Sequence, residues 1–394
     1  MKKYSLFLML GAAFLTFNAC KSELDLDKEL KFSKLSVEEQ KQKIEESGIE
    51  FIDAMEGIQE TQAMTTMMNM LTMTGGEVFS APMQKLSADI KNARKDAFTN
   101  FDKQMRVSYV DSEVWGEYEY NFETEEMEKT KDLTNKIVAR FPATAASTKN
   151  NAVITITYEE SSVVVPDTDG EKYPSKITYK MTVDSKEVMS AEFSGTYYSD
   201  GSPKKVTQSL KMDDYKWTAK IANDQKTASE SYEFKKGSKT MIKSVAEVSG
   251  TLKADELQDA IDNESPQDAI AKFAVYFQVM NVAVKGGTKN LKGLTDELSA
   301  VYDNEKLTQK QSMEKQAEIA NKYIVCTAFF VDDNRKFADV EYYVVKADYE
   351  DIYYLAYRFV LSDGSKVDAQ EYVQEGFDDL IKRLQDMTGS YDNQ

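Results

Sequence analysis

The chain contains no histidine. That excludes Ser-His-Asp and Cys-His nucleophile systems, zincin motifs and histidine-ligated haem. No GxGxxG or Walker-type phosphate loop is present either. Chemistry would have to come from carboxylates, thiols, thioethers or tyrosines. Acids number 67 against 49 lysines and arginines, so Glu159-Glu160 and Asp332-Asp333 read as solvated turn residues rather than the acid/base pair of a glycosidase. Asp167-Thr168-Asp169-Gly170-Glu171 has the composition of part of a calcium loop. It lacks the EF-hand spacing and the terminal bidentate Glu, and so reads as a turn. Met64, Met67, Met68, Met70 and Met73 would offer thioethers to copper(I). Their helical spacing is explained more simply by adaptable core packing, or by a flexible apolar contact surface. Tyr342, Tyr343, Tyr353, Tyr354 and Tyr357 would stack a sugar if exposed and coplanar, and otherwise pair across strands. Cys326, flanked by Ile324, Ala328 and Phe330, reads as a buried, inert thiol. No catalytic residue, metal ligand or cofactor is assigned, and the expectation is a protein that is not an enzyme.

The other cysteine is different. Lys2-Lys3 forms a basic start, Leu6 to Phe17 an apolar core too short to span a bilayer, and Asn18-Ala19 places small residues directly before Cys20. Residues 1–20 resemble the signal peptide and lipobox of bacterial lipoproteins, with Thr16-Phe17 departing from the pattern at the outer positions. The resemblance implies cleavage before Cys20 and acylation of its thiol and amine, a palmitate-type modification that anchors the chain to a membrane. Several acyl chains on one residue hold where one would be marginal. The acids just beyond it, Glu23, Asp25 and Asp27, resemble the surface-export signal of Bacteroidetes lipoproteins, with Leu24 and Leu26 interrupting it; a solvated tether is the alternative reading. Further on, Gly116-x-Tyr118-x-Tyr120, an acidic turn, Phe141-Pro142 and Val153 to Tyr158 also resemble outer-membrane lipoproteins of that group. Those relatives bring no activity to carry over.

With Cys20 acylated, Cys326 is left without a disulfide partner in the chain. A net charge of −18 repels nucleic acid, so nucleic acid is not an expected partner. The expected partners are a membrane, through Cys20, and either an apolar ligand or a protein of the cell envelope. The expected location is the outer membrane, on its periplasmic or cell-surface face.

The elements that would carry these residues are mostly strands. Between Ala152 and Gly250, apolar residues alternate with polar ones, as in Ile177, Tyr179, Met181 and Val183. Turn residues (Asp184-Ser185, Ser199 to Pro203, Asp213-Asp214, Asn223-Asp224, Gly237) break the run into about seven antiparallel strands, wet on one face. The fold class is therefore α+β, a large curved antiparallel meander covered by N-terminal, central and C-terminal helices. Residues 1–19 are the signal peptide and residues 20–35 the lipidated cysteine and acidic tether. Residues 36–110 are helical, from a Ser36/Glu39 capping box to about Met73, then from Pro82. Residues 111–250 hold the hairpin at Trp115 to Lys129, the strand Ile137 to Phe141, and the meander. Residues 251–322 read as helical: Ser265-Pro266 starts a helix and Phe273, Tyr276, Phe277, Met280 and Val284 continue it, then a polar helix runs from Thr308 to Asn321. Residues 323–394 supply three strands and a closing amphipathic helix. Residues 36–394 are expected to form one body, and three roles fit it: a binding or scaffolding lipoprotein, a carrier of apolar ligands like the half-barrels of the LolA type, or a surface glycan-binding protein.

Overall fold

Short turns between alternating segments force neighbouring strands to pair in chain order, and they do. The structure, a computed structural model, describes residues 24–73, 115–165, 170–263, 265–347, 352–374 and 376–391. Among the described residues two helices come first, α1 (Val37–Glu56) and α2 (Gln62–Met73). The strands β1 (Gly116–Asn121), β2 (Glu126–Asp132), β3 (Lys136–Phe141), β4 (Ala152–Val164), β5 (Lys172–Val183), β6 (Lys186–Tyr197), β7 (Pro203–Met212), β8 (Tyr215–Asn223), β9 (Thr227–Lys236) and β10 (Lys239–Gly250) come next. After helices α3 (Ala254–Asp262) and α4 (Pro266–Ala269) come β11 (Ile270–Val279) and β12 (Val282–Thr288), then helices α5 (Leu291–Tyr302) and α6 (Gln309–Tyr323). The chain ends with β13 (Ile324–Phe330), β14 (Arg335–Lys346), β15 (Tyr353–Val360), β16 (Lys366–Asp368), α7 (Ala369–Gln374) and α8 (Asp378–Tyr391).

The sixteen strands form an open sheet in which β16 to β3 follow chain order and β1 then β2 complete the far edge. It is mixed rather than purely antiparallel, because β1 lies parallel to β3. The expected meander over residues 152–250 is β4 to β10, and the sheet extends well beyond its anticipated seven strands on both sides. The chain divides into two compact units, residues 56–222 and residues 1–55 with 223–394.

In the 56–222 unit, the loop between β5 and β6 is just Asp184-Ser185, both at positive φ (48° and 66°), as a two-residue hairpin turn requires. Helix α2 covers one face. Its Ala63 and Met70 are buried with Phe141, Ile154, Met181, Met189 and Met212, and Met64 and Met67 pack against them. The N-terminus of α2 is held by the Thr61 hydroxyl, which accepts from the Met64 amide (3.2 Å), and by the Asp213 carboxylate of the β7–β8 turn, which accepts from the Ala63 amide (3.1 Å). The single helix expected from Ser36 to Met73 is thus two, broken across residues 57–61. The helix expected from Pro82 lies outside the described residues.

In the other unit, the Ser36/Glu39 capping box opens α1: the Ser36 hydroxyl accepts from the Glu39 amide (3.2 Å) and the Glu39 carboxylate from the Ser36 amide (2.8 Å). Glu45 of α1 in turn accepts from the Asp379 and Leu380 amides at the start of α8 (3.0 and 3.1 Å), and Arg383 pairs with Asp53 at 2.6 Å. The helix anticipated through Phe273 and Val284 is instead the hairpin β11–β12, with a single turn of helix, α4, before it. The reason is coverage of both faces. Phe273 packs with Leu291, Leu294 and Leu298 of α5 and Ile319 of α6, while Tyr276 packs on the other face against the N-terminal segment. A strand buried on both sides reads as a continuous apolar run and loses its period of two. The polar helix from Thr308 is α6, whose Thr308/Gln311 capping box is formed; α5 falls within the stretch 251–322 read as helical, though its bounds were not given, and β16 had no place in the sequence reading.

Candidate functional site

Cys20, the one site residue assigned from sequence, lies outside the described residues. From Leu24 onward the chain takes an unexpected course. Residues 24–33, read as a solvated tether, are packed onto the sheet. Leu24 and Leu30 are buried in one cluster with Val245, Tyr276, Ala283 and Phe329. Beneath them Lys285 of β12 is only 4% exposed, and its ammonium donates to the backbone carbonyls of Asp25 and Lys28, both at 2.9 Å. Burial pushes the Lys285 pKa down, against the charge of Asp25, which holds it up. Asp27 pairs with Lys289, and the Asp25 carboxylate accepts from the Asp27 amide at 2.9 Å. The segment then pairs with the start of β14: the Lys336 amide donates to the Lys31 carbonyl (3.0 Å) and the Ser33 amide to the Lys336 carbonyl (2.7 Å). The Lys336 side chain lies over the Phe32 ring at 4.3 Å and reaches Asp339 at 2.6 Å. The tether reading fails here because two leucines find an apolar face and a buried lysine finds backbone carbonyls. A lysine directly after the apolar run Val282 to Val284 was the sequence signal for it.

The five tyrosines do not make one platform. Tyr342 stands opposite Tyr357, and Lys346 opposite Tyr353, which puts Tyr342, Tyr353 and Tyr357 on one face and Tyr343 and Tyr354 on the other. Tyr357 is 58% exposed and Tyr354 48%. Tyr343 is engaged: its hydroxyl donates to Asp368 at 2.6 Å, a bond that with burial pushes its pKa up to about 12, and the Arg358 guanidinium stacks on its ring at 4.6 Å. Helix α6 holds this region through its amides. Asn321 exchanges two hydrogen bonds with the backbone of Tyr342 (2.7 and 2.8 Å), and Gln309 does the same with Tyr353 (3.0 and 3.3 Å).

Met64, Met67 and Met70 pack as core side chains, the Met73 sulfur accepts from the Asn69 side-chain amide at 3.1 Å, and Met68 is 56% exposed. On the same sheet face, Tyr158, Tyr179, Leu210 and Trp217 are only partly buried. The Tyr179 hydroxyl is enclosed without a hydrogen-bond partner among the described residues, and burial drives its pKa upward. A buried hydroxyl left unpaired is uncommon in folded proteins and marks a place where an acceptor would be welcome.

The paired acids are separately employed. Glu160 meets Lys172 at 3.4 Å, Asp332 meets Lys43 at 2.9 Å, and Asp333 accepts from the Arg335 amide at 3.0 Å. The Asp167 to Asp169 part of the calcium-loop-like stretch lies outside the described residues. Burial, and then the charge of Asp339, pushes the Cys326 thiol up to about 11, so it stays protonated and unreactive at neutral pH.

One acid was not singled out in the sequence. Glu230 of β9 has no ion pair or hydrogen bond among the described residues; its side chain is exposed to solvent, yet the protein atoms crowded around its carboxylate desolvate it in part and push it up to about 7. Because the folded-state pKa lies above the unfolded one, the fold is favoured by protonation. Its contribution is intact below about pH 4.5 and lost as pH rises through 7. Glu230→Gln should therefore leave stability unchanged at pH 4.5 and raise it by about 1 kcal/mol at pH 8, after discounting for solvent access. Urea midpoints at the two pH values check this, and an equal effect at both would refute it.

Compared with protein-family models, with curated proteins and with solved structures, the chain matches none.

Proposed function

We propose that this chain is a cell-envelope lipoprotein, anchored to the outer membrane through Cys20, whose body binds or scaffolds rather than catalyses. One adjacency supports the reading most. The leader-like stretch ends at Cys20, and from Leu24 onward the chain is built into the fold through Leu30 and Lys285. An acylated Cys20 would thus sit directly beside a folded body. Each run of eight strands, β1 to β8 and β9 to β16, is expected to coil through its right-handed twist, which is the curved form of the sheet anticipated from sequence.

The Tyr179 hydroxyl and the partly buried Tyr158, Leu210 and Trp217 favour a second reading, an apolar-ligand carrier that would use this face. Against it, α2 already fills part of the face with Met64, Met67 and Met70. The glycan reading is weaker, because its two most exposed tyrosines, Tyr354 and Tyr357, face opposite ways.

Cys20→Ser tests the proposal. The protein is expected to move from the membrane pellet to the soluble fraction, because one side chain carries the whole attachment. Unchanged membrane attachment would end the lipoprotein reading.

A further inference from the structure

We infer that the sheet face under residues 24–33 lies against the membrane surface. The inference rests on Cys20 being the lipid anchor and adds to it an orientation and a spacing. Leu24 is buried, so the fold fixes the chain at that point. It is four residues beyond Cys20, and four residues reach at most about 14 Å. An acylated Cys20 cannot hold Leu24 farther from the headgroups than that. The site where Leu24 is held is defined by Val245 of β10, Tyr276 of β11 and Ala283 of β12. This segment does not act as a spacer. To lengthen the tether it would have to expose Leu24 and Leu30, and it would have to break the bonds of Lys285 to Asp25 and Lys28 and the pairing of Asp27 with Lys289.

Charge agrees with the orientation. The protein as a whole is strongly acidic, at −18, and most of its surface would be repelled by anionic headgroups. Here Asp25, Asp27 and Glu29 are matched by Lys28, Lys31 and Lys34. Beneath them Lys285, Lys289 and Lys336 outnumber Asp339. This side carries no acidic excess, so it can approach a membrane without that repulsion. With its exposed charges it would lie on the surface rather than insert.

The test uses the full chain, purified with its lipid and placed in phosphatidylethanolamine/phosphatidylglycerol vesicles that carry a fluorescent acceptor on the headgroup. In a Cys326→Ser background, a donor dye is attached at Lys272→Cys or at Phe277→Cys. Lys272 is exposed on the Tyr276 face of β11, and Phe277, 50% exposed, is on the opposite face of the same strand. Side-chain layers on the two faces of a sheet are about 10 Å apart, so transfer from position 272 should be about twofold that from position 277. Inserting about twenty Gly/Ser residues between Ser22 and Glu23, a coil of about 25 Å, should bring the two values together. Equal transfer from both positions without the insertion, or more from 277, overturns the orientation and leaves the anchor standing. A chain that carries no lipid by mass and stays out of the vesicle fraction overturns the anchor, and the orientation with it.

Discussion

Replacing Lys285 with alanine should cost about 3 kcal/mol and set the N-terminal segment free. The side chain is buried and supplies the hydrogen bonds that the Asp25 and Lys28 carbonyls receive from it. Removing it leaves two partly buried acceptors short of a donor, each worth roughly 1 kcal/mol or more, and opens a cavity beneath the leucines. Lys285→Met refills the volume and leaves the acceptors unpaired, so it should recover only the cavity part, about 1 kcal/mol. The denaturant midpoint reads the loss. Limited proteolysis reads its location, because cleavage within residues 24–33 should rise in the alanine variant before any site in the strands opens. An alanine variant as stable and as protease-resistant as the parent would mean that the segment is held by something other than Lys285.

Gly287→Ala should be comparably damaging, for a different reason. Gly287 has φ +154°, a conformation that L side chains rarely adopt. An added Cβ would fall on the Phe273 carbonyl oxygen of the neighbouring strand, 2.8 Å from the Ala274 Cα and 3.1 Å from the Leu26 Cδ1 above it. Two of those neighbours are backbone and cannot swing aside. Backbone strain and overpacking together come to about 3 kcal/mol. Because Leu26 is in the way as well, the variant should loosen the N-terminal segment together with the β11–β12 hairpin. Hydrogen exchange at both places checks it, and unchanged protection at the Phe273 to Thr288 pairing would contradict this expectation.

The two substitutions fall on the part of the molecule least visible in its sequence. The outer meander was legible because its strands bury one face: Ile177, Tyr179, Met181 and Val183 alternate with polar residues, and Asp184-Ser185 marks the turn. The capping box at Ser36 was legible because it needs only four consecutive residues; at Thr308 the helix was read but not the box that opens it. The hairpin β11–β12 was not. Phe273, Tyr276, Phe277 and Met280 satisfy a helical spacing by coincidence, in a strand that is apolar toward α5 on one face and toward Leu24 and Leu30 on the other. The packing of residues 24–33 was hidden for the related reason that charged residues surround its two buried leucines, Leu24 and Leu30. The contacts that hold it come from lysines about 260 residues away in sequence, Lys285 and Lys289 among them. The tyrosine cluster was found, but its division between two faces depends on the register of β14 against β15, which composition does not encode.

The most direct test of the proposed function is the intact mass of the protein extracted from membranes of the cell that makes it. The expected species is a chain that begins at Cys20 and carries the added mass of acyl chains on that residue, a mass that returns to the bare polypeptide after the lipid is removed chemically. A chain that begins at another residue, or one that begins at Cys20 with no added mass, would contradict the lipoprotein assignment.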